Sequence, residues 1–539
     1  MKLPKSRALP LSLLAASVAA IAAAWWWLGA PVAMPVGPGD IGRLQCVSYA
    51  PYGADQNPLD DRTYVPAAQI EADLQRLKQV TDCVRTYSIE HGDDQIPGIA
   101  QRLGIKVMLG AWLSPDRVRT RHQIDIVIAL ARQFPDTVAS VVVGNEVLLR
   151  GDMSAVDLAA LIREVKAAVP CPVTYADVWE FWNRNPELGP LVDFVTIHLL
   201  PYWEDFPIPV ERAAAHVESI RRQLVARFPG KEVVIGEVGW PSAGRMREGA
   251  LPSPANQARF LYEVMADAHR AGYRVNVIEA FDQPWKRQLE GTVGGQWGLF
   301  DAYRRAPKFH WGEPVSNHPG WRWQAAGGAL LAAMVFGVAA AVTRRRGVVP
   351  APDRWLGVTV IATVSGTLIG WAWANVPVES LGFGGWLEGL AWALLALVAP
   401  VAAAASLAAG VPAPTFGEML GRRGERPCAP IAIAAGAGLI AVTVLALQRA
   451  LMLVFDPRYV DFPFAPLLAT AVPYVTLALW STSRKGARPA AETFAAGVLA
   501  AAAVYIAINE SAANWQALLV CAGLAMLALT LARARGAPG

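Results

Sequence analysis

The chain has 539 residues, 54% hydrophobic and only 17% charged, which excludes both a single compact domain and a uniformly soluble protein. A net charge of +4, with Lys and Arg interspersed among Asp and Glu in the first part and clustered in short loops later, argues against nucleic acid as a partner. Residues 31–319 carry charges, His, Pro and aromatics throughout, whereas from about Trp321 onward runs of Ala, Leu, Val and Gly dominate.

In chain order, the first element is an apolar stretch of 22 residues, Leu9–Ala30, long enough to span a bilayer. It follows Lys2, Lys5 and Arg7 and ends in Trp25, Trp26 and Trp27, which reads as an interfacial belt. A cleaved signal peptide is the rival reading. The length of the stretch, and Pro31 before the nearest small-residue site at Ala33, favour an uncleaved anchor over residues 1–30.

Eight strand-like runs follow within 31–319: LQCVSYAPY from Leu44, DCVRTYS from Asp82, IKVMLGAWL from Ile105, VASVVVGNE from Val138, CPVTYADVW from Cys171, VDFVTIHLLPYW from Val192, EVVIGEVGW from Glu232 and RVNVIEAFDQPW from Arg274. Near-continuous β-branched runs suit strands buried on both faces. Helical patterns lie between them, as in AAQIEADLQRLKQV, where Ile70, Leu74 and Leu77 share one face. The alternation predicts a (β/α)8 barrel, an α/β fold, with an open doubly wound sheet as the alternative. No Gly-rich phosphate loop follows the first strand. Cys46 and Cys83 open neighbouring strands, and two states fit them: a disulfide in an oxidising compartment, or two buried thiols. Cys171 is left over, and with Cys428 and Cys521 forms no CxxC or Cys/His cluster of the kind that holds zinc.

A barrel builds its site where strands end. The ends here supply Tyr49, Arg85, Tyr87, Asn145, Glu146, Asp177, His198, Tyr202, Trp203, Glu237, Trp240, Glu279, Asp282, Trp285 and Lys286, with Trp297 close behind. Aromatic platforms beside carboxylates and amides are what sugar recognition requires, although some of these rings must simply fill the helix–barrel layer. Glu146 ends the fourth run and Glu237 lies near the end of the seventh, on strands that face each other across a barrel mouth. Two carboxylates flanking one bond are the equipment of glycoside hydrolysis. Alone, Glu146 has a lesser reading as a helix N-terminal charge and Glu237 as a structural ion-pair partner; together, on opposite strands with aromatics around them, they favour the catalytic pair.

At these residues the sequence resembles glycoside hydrolase family 17, the β-1,3-glucanases and glucanosyltransferases. The resemblance covers nearly all of residues 31–319. Its most specific piece is GEVGWPSAG, which places the family's nucleophile on Glu237. VGNE places the acid/base on Glu146, with Asn145 set to hold the sugar 2-hydroxyl. VRTYS, TIHLLPYWE and EAFDQPWK followed by GGQWGLFDAYRRAPKF look like the fungal and bacterial branch. One departure stands out: where plant members carry an auxiliary Glu this chain has Gln283, so Glu279 is expected to take part of that role beside the retained Lys286.

Seven further apolar segments, about 324–342, 355–374, 386–410, 429–448, 464–481, 490–508 and 514–532, bring the expected spans to eight and define a membrane domain over 320–539. Arg344, Arg345, Arg346 and Arg354, then Arg422, Arg423 and Arg426, then Arg484, Lys485 and Arg488, and finally Arg533 and Arg535 fall in alternate loops. The intervening loops hold only Arg449 and Arg458. That alternation predicts both termini in the cytoplasm and the barrel on the far side of a multi-pass membrane protein. Gln448, Arg449 and Glu510 fall near span ends, where snorkelling is the expected behaviour. A barrel followed by such spans looks like bacterial inner-membrane members of the family linked to periplasmic β-1,3/β-1,6-glucan synthesis. The resemblance therefore implies a retaining glucanosyltransferase acting on β-glucan in the periplasm, with a membrane glucan synthase as a partner. A plain endo- or exo-β-1,3-glucanase is the first alternative, and a non-catalytic glucan-binding scaffold of such a synthase the second. No metal or organic cofactor is expected, since two carboxylates suffice for the chemistry.

Overall fold

The computed structural model describes residues 5–35, 43–303, 305–421, 429–481 and 486–536. Lys2, Arg422, Arg423, Arg426, Cys428, Arg484 and Lys485, and the side chains of Lys5 and Arg7, lie outside the described residues. The chain divides into two compact units, Val32–Val315 and the combination of Met1–Pro31 with Ser316–Gly539. Helix α1 (Lys5–Leu28) belongs to the latter.

In the Val32–Val315 unit a strand–helix alternation opens with β1 (Cys46–Ser48), α2 (Ala67–Leu77), β2 (Cys83–Arg85), α3 (Ile96–Leu103), β3 (Lys106–Ala111) and α4 (Arg117–Gln133). It continues through β4 (Val138–Asn145), α5 (Ala155–Ala168), β5 (Val173–Val178), α6 (Trp179–Arg184) and β6 (Val195–Leu199). It ends with α7 (Val210–Arg227), β7 (Val233–Val238), α8 (Pro254–Ala271), β8 (Val275–Val277) and α9 (Arg287–Gly294). Neighbouring strands pair in parallel and β8 closes on β1, giving a (β/α)8 barrel and removing the open-sheet alternative. Side chains of Asp116, Ser154 and Ser253 accept backbone N–H bonds at the starts of α4, α5 and α8.

Strand alternation separates two apolar layers. Val107, Leu109, Val141, Val143, Val195, Ile197, Val233 and Ile235 pack in the large core shared with the helices. Met108, Val142, Ala176 and Val234 form a smaller inner cluster with Cys46 and Phe194. Besides a shift between Val107 and Met108 at the start of β3, the parallel ladder is irregular at three places near the C-terminal strand ends: between Val142 and Asn145 on β4, between Ile197 and His198 on β6, and between Ile235 and Val238 on β7. Each lies at the mouth end, where a bulge re-aims side chains.

In the other unit, α10 (Trp321–Arg346), α11 (Pro352–Glu379), α12 (Gly382–Ala409), the short α13 (Phe416–Leu420), α14 (Pro430–Phe455), α15 (Phe464–Trp480), α16 (Ala490–Asn509) and α17 (Trp515–Ala532) join α1. Seven helices among the described residues are long and apolar enough to cross a membrane: α1, α10, α11, α12, α14, α16 and α17. The eighth expected span is α15, 17 residues long and buried along nearly all of its length, as befits a helix apolar all round. Trp25 departs from its expected interfacial place. Three consecutive tryptophans cannot share one helical face, and Trp25 packs fully buried with Ile21, Leu331 and Ile361 while Trp26 and Trp27 are exposed. Arg449 also departs from the snorkelling expectation. Helix α14 runs on to Phe455, which leaves Arg449 within the bundle, where its Nε donates to Glu388 Oε1 of α12 at 3.0 Å.

Among the described residues Cys171 and Cys521 are free, whereas Cys46 and Cys83 form a disulfide that ties β1 to β2 across a separation of 37 residues. A crosslink of this span restricts the unfolded chain, and replacing Cys83 by Ser is expected to lower the stability of the barrel by about 2–4 kcal/mol. Denaturant unfolding of the full chain with and without reductant checks it; midpoints insensitive to both would mean the bond contributes nothing to folding.

Candidate active site

Glu237 is the most constrained side chain at the barrel mouth. Strict alternation along β7 would turn it outward with Val233 and Ile235, but the irregularity before Val238 brings it inward instead. There Arg85 Nη1 donates to its Oε1 at 2.9 Å, and Tyr87 OH lies 2.8 Å from the same oxygen. Arg85 is fully buried; it also donates to the carbonyl of Gly236 at 2.9 Å and through Nη2 to Asn145 Oδ1. Asn276 supports this floor, donating to Ser48 Oγ and to Gly236 O, both at 2.7 Å. Gly236 has no room for a side chain, since a Cβ would lie 2.3 Å from Thr196 and 3.2 Å from His198.

Glu146 follows β4 and is held differently. Gly144 has φ +90, and Glu146 itself sits at φ 53, a backbone region that residues with a Cβ occupy only under constraint. Arg150 supplies part of that constraint, bonding to the carbonyls of Asn145 and Leu113 while stacking on Trp112 at 4.2 Å. The Glu146 Oε1 atom lies 2.8 Å from His198 Nδ1, whose other nitrogen is 3.7 Å from Glu237 Oε1. One ligand-type atom from each of Glu146, His198 and Glu237 lies within 4.8 Å of the others. Such a trio could hold a cation by geometry alone, but the Arg85 guanidinium already neutralises Glu237 and opposes a second positive charge. One oxygen of each carboxylate lies within 4.8 Å of the other, closer than the roughly 6.5 Å or more that inverting glycosidases keep for an intervening water.

The two carboxylates differ in environment. Glu237 is 6% exposed in its side chain and Glu146 23%, so only Glu146 reaches solvent. Burial pushes the Glu237 pKa up, but His198, Arg85, Tyr87 and Lys286 outweigh it and hold the carboxyl below the usual glutamate range. Lys286 Nζ lies 2.9 and 3.0 Å from the two oxygens of Glu279, whose carboxyl burial raises to about 7 against the pull of that lysine. Glu290, absent from the sequence-derived candidates, belongs to the same network: burial raises its pKa, Lys286 opposes, and the charges of Glu146 and Glu237 add to the rise. Its position four residues after Lys286, on the face of a short helix, was the available signal.

The remaining candidates divide by placement. Asp177 sits near Glu146, bonded to Tyr175 OH and to the Leu149 and Val178 amides. Trp203 and Trp297 stack at 6.4 Å with an interplanar angle of 18°, and Tyr202 packs edge-on to both. Trp285 is half-buried and donates to Gln283 Oε1. By contrast, Tyr49 donates to Asp73 at 3.2 Å, Trp240 is fully buried against Phe260 and donates to Leu251 O, and Asp282 is tied to Lys308 and the Gly298 amide. These three are not gathered around the carboxylate pair.

A profile of the BtgE/BtgC glycoside hydrolase domain matches residues 46–298. A glucan 1,3-beta-glucosidase of Saccharomyces cerevisiae is 26% identical over 265 residues, covering 45% of this chain and 84% of that protein. One of Arthroderma benhamiae is 29% identical over 263 residues with the same coverage, 45% and 84%. Among solved structures, an active-site mutant of a Rhizomucor miehei beta-1,3-glucanosyltransferase in complex with laminaritriose is similar at 25% identity and TM-score 0.44, covering 51% of this chain and 97% of that one.

Burial, partly opposed by the Tyr175 hydrogen bond, raises the Asp177 carboxyl from 3.8 to about 6. A raised folded-state value means stability that is fully present below 3.8 and lost as pH rises through about 6. Asp177→Asn, which cannot ionise, is expected to lack that decline. Unfolding midpoints of both proteins across this window check it, and parallel curves would refute it.

Proposed function

The barrel of this chain belongs to glycoside hydrolase family 17 and is a β-1,3-glucan-active glycosidase, and on that premise we propose a retaining glucanosyltransferase with Glu237 as nucleophile and Glu146 as acid/base. The observation that carries the assignment is the pair of carboxylates within 4.8 Å of each other, one kept ionised by a buried guanidinium and the other open to solvent. Glu237 attacks the anomeric carbon while Glu146 gives its proton to the departing glycosidic oxygen. The glucosyl–Glu237 ester then reacts with an incoming hydroxyl, whose proton returns to Glu146. Asn145, fixed by Arg85, holds the sugar 2-hydroxyl, and His198 holds Glu146 in line. Trp203, backed by the buried Trp297, and Trp285 offer apolar faces to neighbouring glucose units. Such platforms favour a sugar acceptor over water; a β-1,6 branch made beside a membrane glucan synthase is the specific form of the proposal.

Orientation follows from charge. Arg344, Arg345, Arg346 and Arg354 between α10 and α11, Arg488 before α16, and Arg533 and Arg535 after α17 favour one side as cytoplasmic, with the barrel in the periplasm of a bacterial inner membrane. The Cys46–Cys83 disulfide suits that oxidising compartment.

The test is incubation of the full chain in detergent with β-1,3-gluco-oligosaccharides, sizing products by mass spectrometry and reading linkages by NMR. Products longer than the donor establish transfer, and a β-1,6 signal establishes branching; shorter products alone would make the protein a glucanase, and no turnover would leave the scaffold reading. Glu146→Gln should lower turnover of oligosaccharides by about 10²–10⁴-fold while sparing formation of the glucosyl-enzyme from aryl glucosides with good leaving groups. Glu237→Gln should lose both, and retained activity would sink the nucleophile assignment. Because Arg85 helps hold Glu237 below its ordinary range, Arg85→Met should move the acid limb of the kcat/KM profile to higher pH. An unmoved limb would show that Arg85 does not control the nucleophile's charge.

A further inference from the structure

In the helical unit a cavity of ≈ 80 Å³ lies between the ends of α15 and α17 and the first turn of α16, lined by Tyr474, Ser481, Glu492, Thr530, Arg533 and Arg535. Two of its side chains are nearly sealed from solvent, Glu492 and Tyr474 at 1% exposure each. Glu492 Oε1 accepts from the Phe416 amide at 2.6 Å, but among the described residues Oε2 has no partner, and neither has the Tyr474 hydroxyl. The phenol is pressed against α14, where a Cβ on Gly438 would lie 2.3 Å from its oxygen. Burying a carboxylate oxygen and a hydroxyl without partners costs several kcal/mol, which a donor inside the cavity would remove. At the rim, Arg533 is exposed and Arg535 half-buried. Arg533 uses Nε on Ala478 O, and Arg535 uses Nη1 on Ala532 O and Ala534 O, so each guanidinium keeps N–H groups for an anion.

An acid inside and two guanidinium groups outside match a molecule with an ammonium a short reach from a phosphate. We propose that this cavity binds an aminoalkyl phosphate, its ammonium on Glu492 Oε2 and Tyr474 OH and its phosphate on Arg533 and Arg535. The volume is several times the roughly 10–15 Å³ of such space that one water needs, and the unit's long apolar helices place it where phospholipid headgroups are abundant.

The test uses the full chain in nanodiscs of phosphatidylethanolamine or phosphatidylglycerol, with retained lipid measured by native mass spectrometry and free phosphoethanolamine added as competitor. The ethanolamine lipid should be held about tenfold more tightly, the worth of a charge-assisted contact. Tyr474→Phe removes only an unpartnered hydroxyl and should fold normally, and Glu492→Gln keeps the oxygen that Phe416 uses; both should erode the preference. Arg535→Ala should weaken phosphate-bearing lipids of either kind. Competition by free phosphoethanolamine shows that the headgroup alone suffices, and lack of competition assigns the lipid as the source. Equal retention of the two lipids, or a preference unchanged in both Tyr474→Phe and Glu492→Gln, overturns the proposal.

Discussion

The barrel mouth is organised around one buried positive charge. Arg85 is sealed from solvent, and its fork is shared between the Glu237 carboxylate, the Gly236 carbonyl and the Asn145 amide oxygen. A guanidinium cannot give up its proton at this position, so every neighbour must be an acceptor, and the strand ends that carry those acceptors must converge on it. Three strands, β2, β4 and β7, thereby become a single polar unit. Breaking a buried pair of this kind costs about 3–5 kcal/mol, because the remaining charge has nowhere to go.

Around that charge the carboxylates fall into graded environments. Glu237 faces cations and donors and stays ionised; Glu279 and Glu290 share Lys286 and are pushed upward by burial. Paired titratable groups driven apart by their surroundings are how a single cleft provides an acid and a base at one pH. Lys286 links the two sets, since it bonds to Glu279 and acts on Glu237 through space.

Much of this was legible in the sequence because it depends on local pattern. Eight β-branched runs gave eight strands, and the helix bearing Ile70, Leu74 and Leu77 buries all three. The carboxylates were visible because they end such runs. What was not visible depends on three-dimensional neighbours: Tyr49 and Trp240 sit at strand ends like the others, yet they turn into the layer behind the mouth. Glu290 lies in a short irregular helix with a non-helical glycine at 291, where its four-residue spacing from Lys286 was the one signal and no longer periodicity supported it. Trp25 and Arg449 departed from interfacial expectations for a related reason, since hydropathy gives the length of a span but not which side of it meets another helix.

The bulge on β7 has a consequence for how such a strand can change over time. Val233, Ile235 and Val238 all pack in the core shared with the helices, so one extra residue lies between the second and third of them, and the spare position is what lets Glu237 face the opening. Were the strand regular with every residue kept, the acidic group would turn toward the helices and Val238 would take its place at the opening. The parity of the strand is therefore as much a part of the chemistry as the identity of the residue. Lineages carrying this site should tolerate substitution along β7 far more readily than a loss of the bulge that leaves the residue count unchanged.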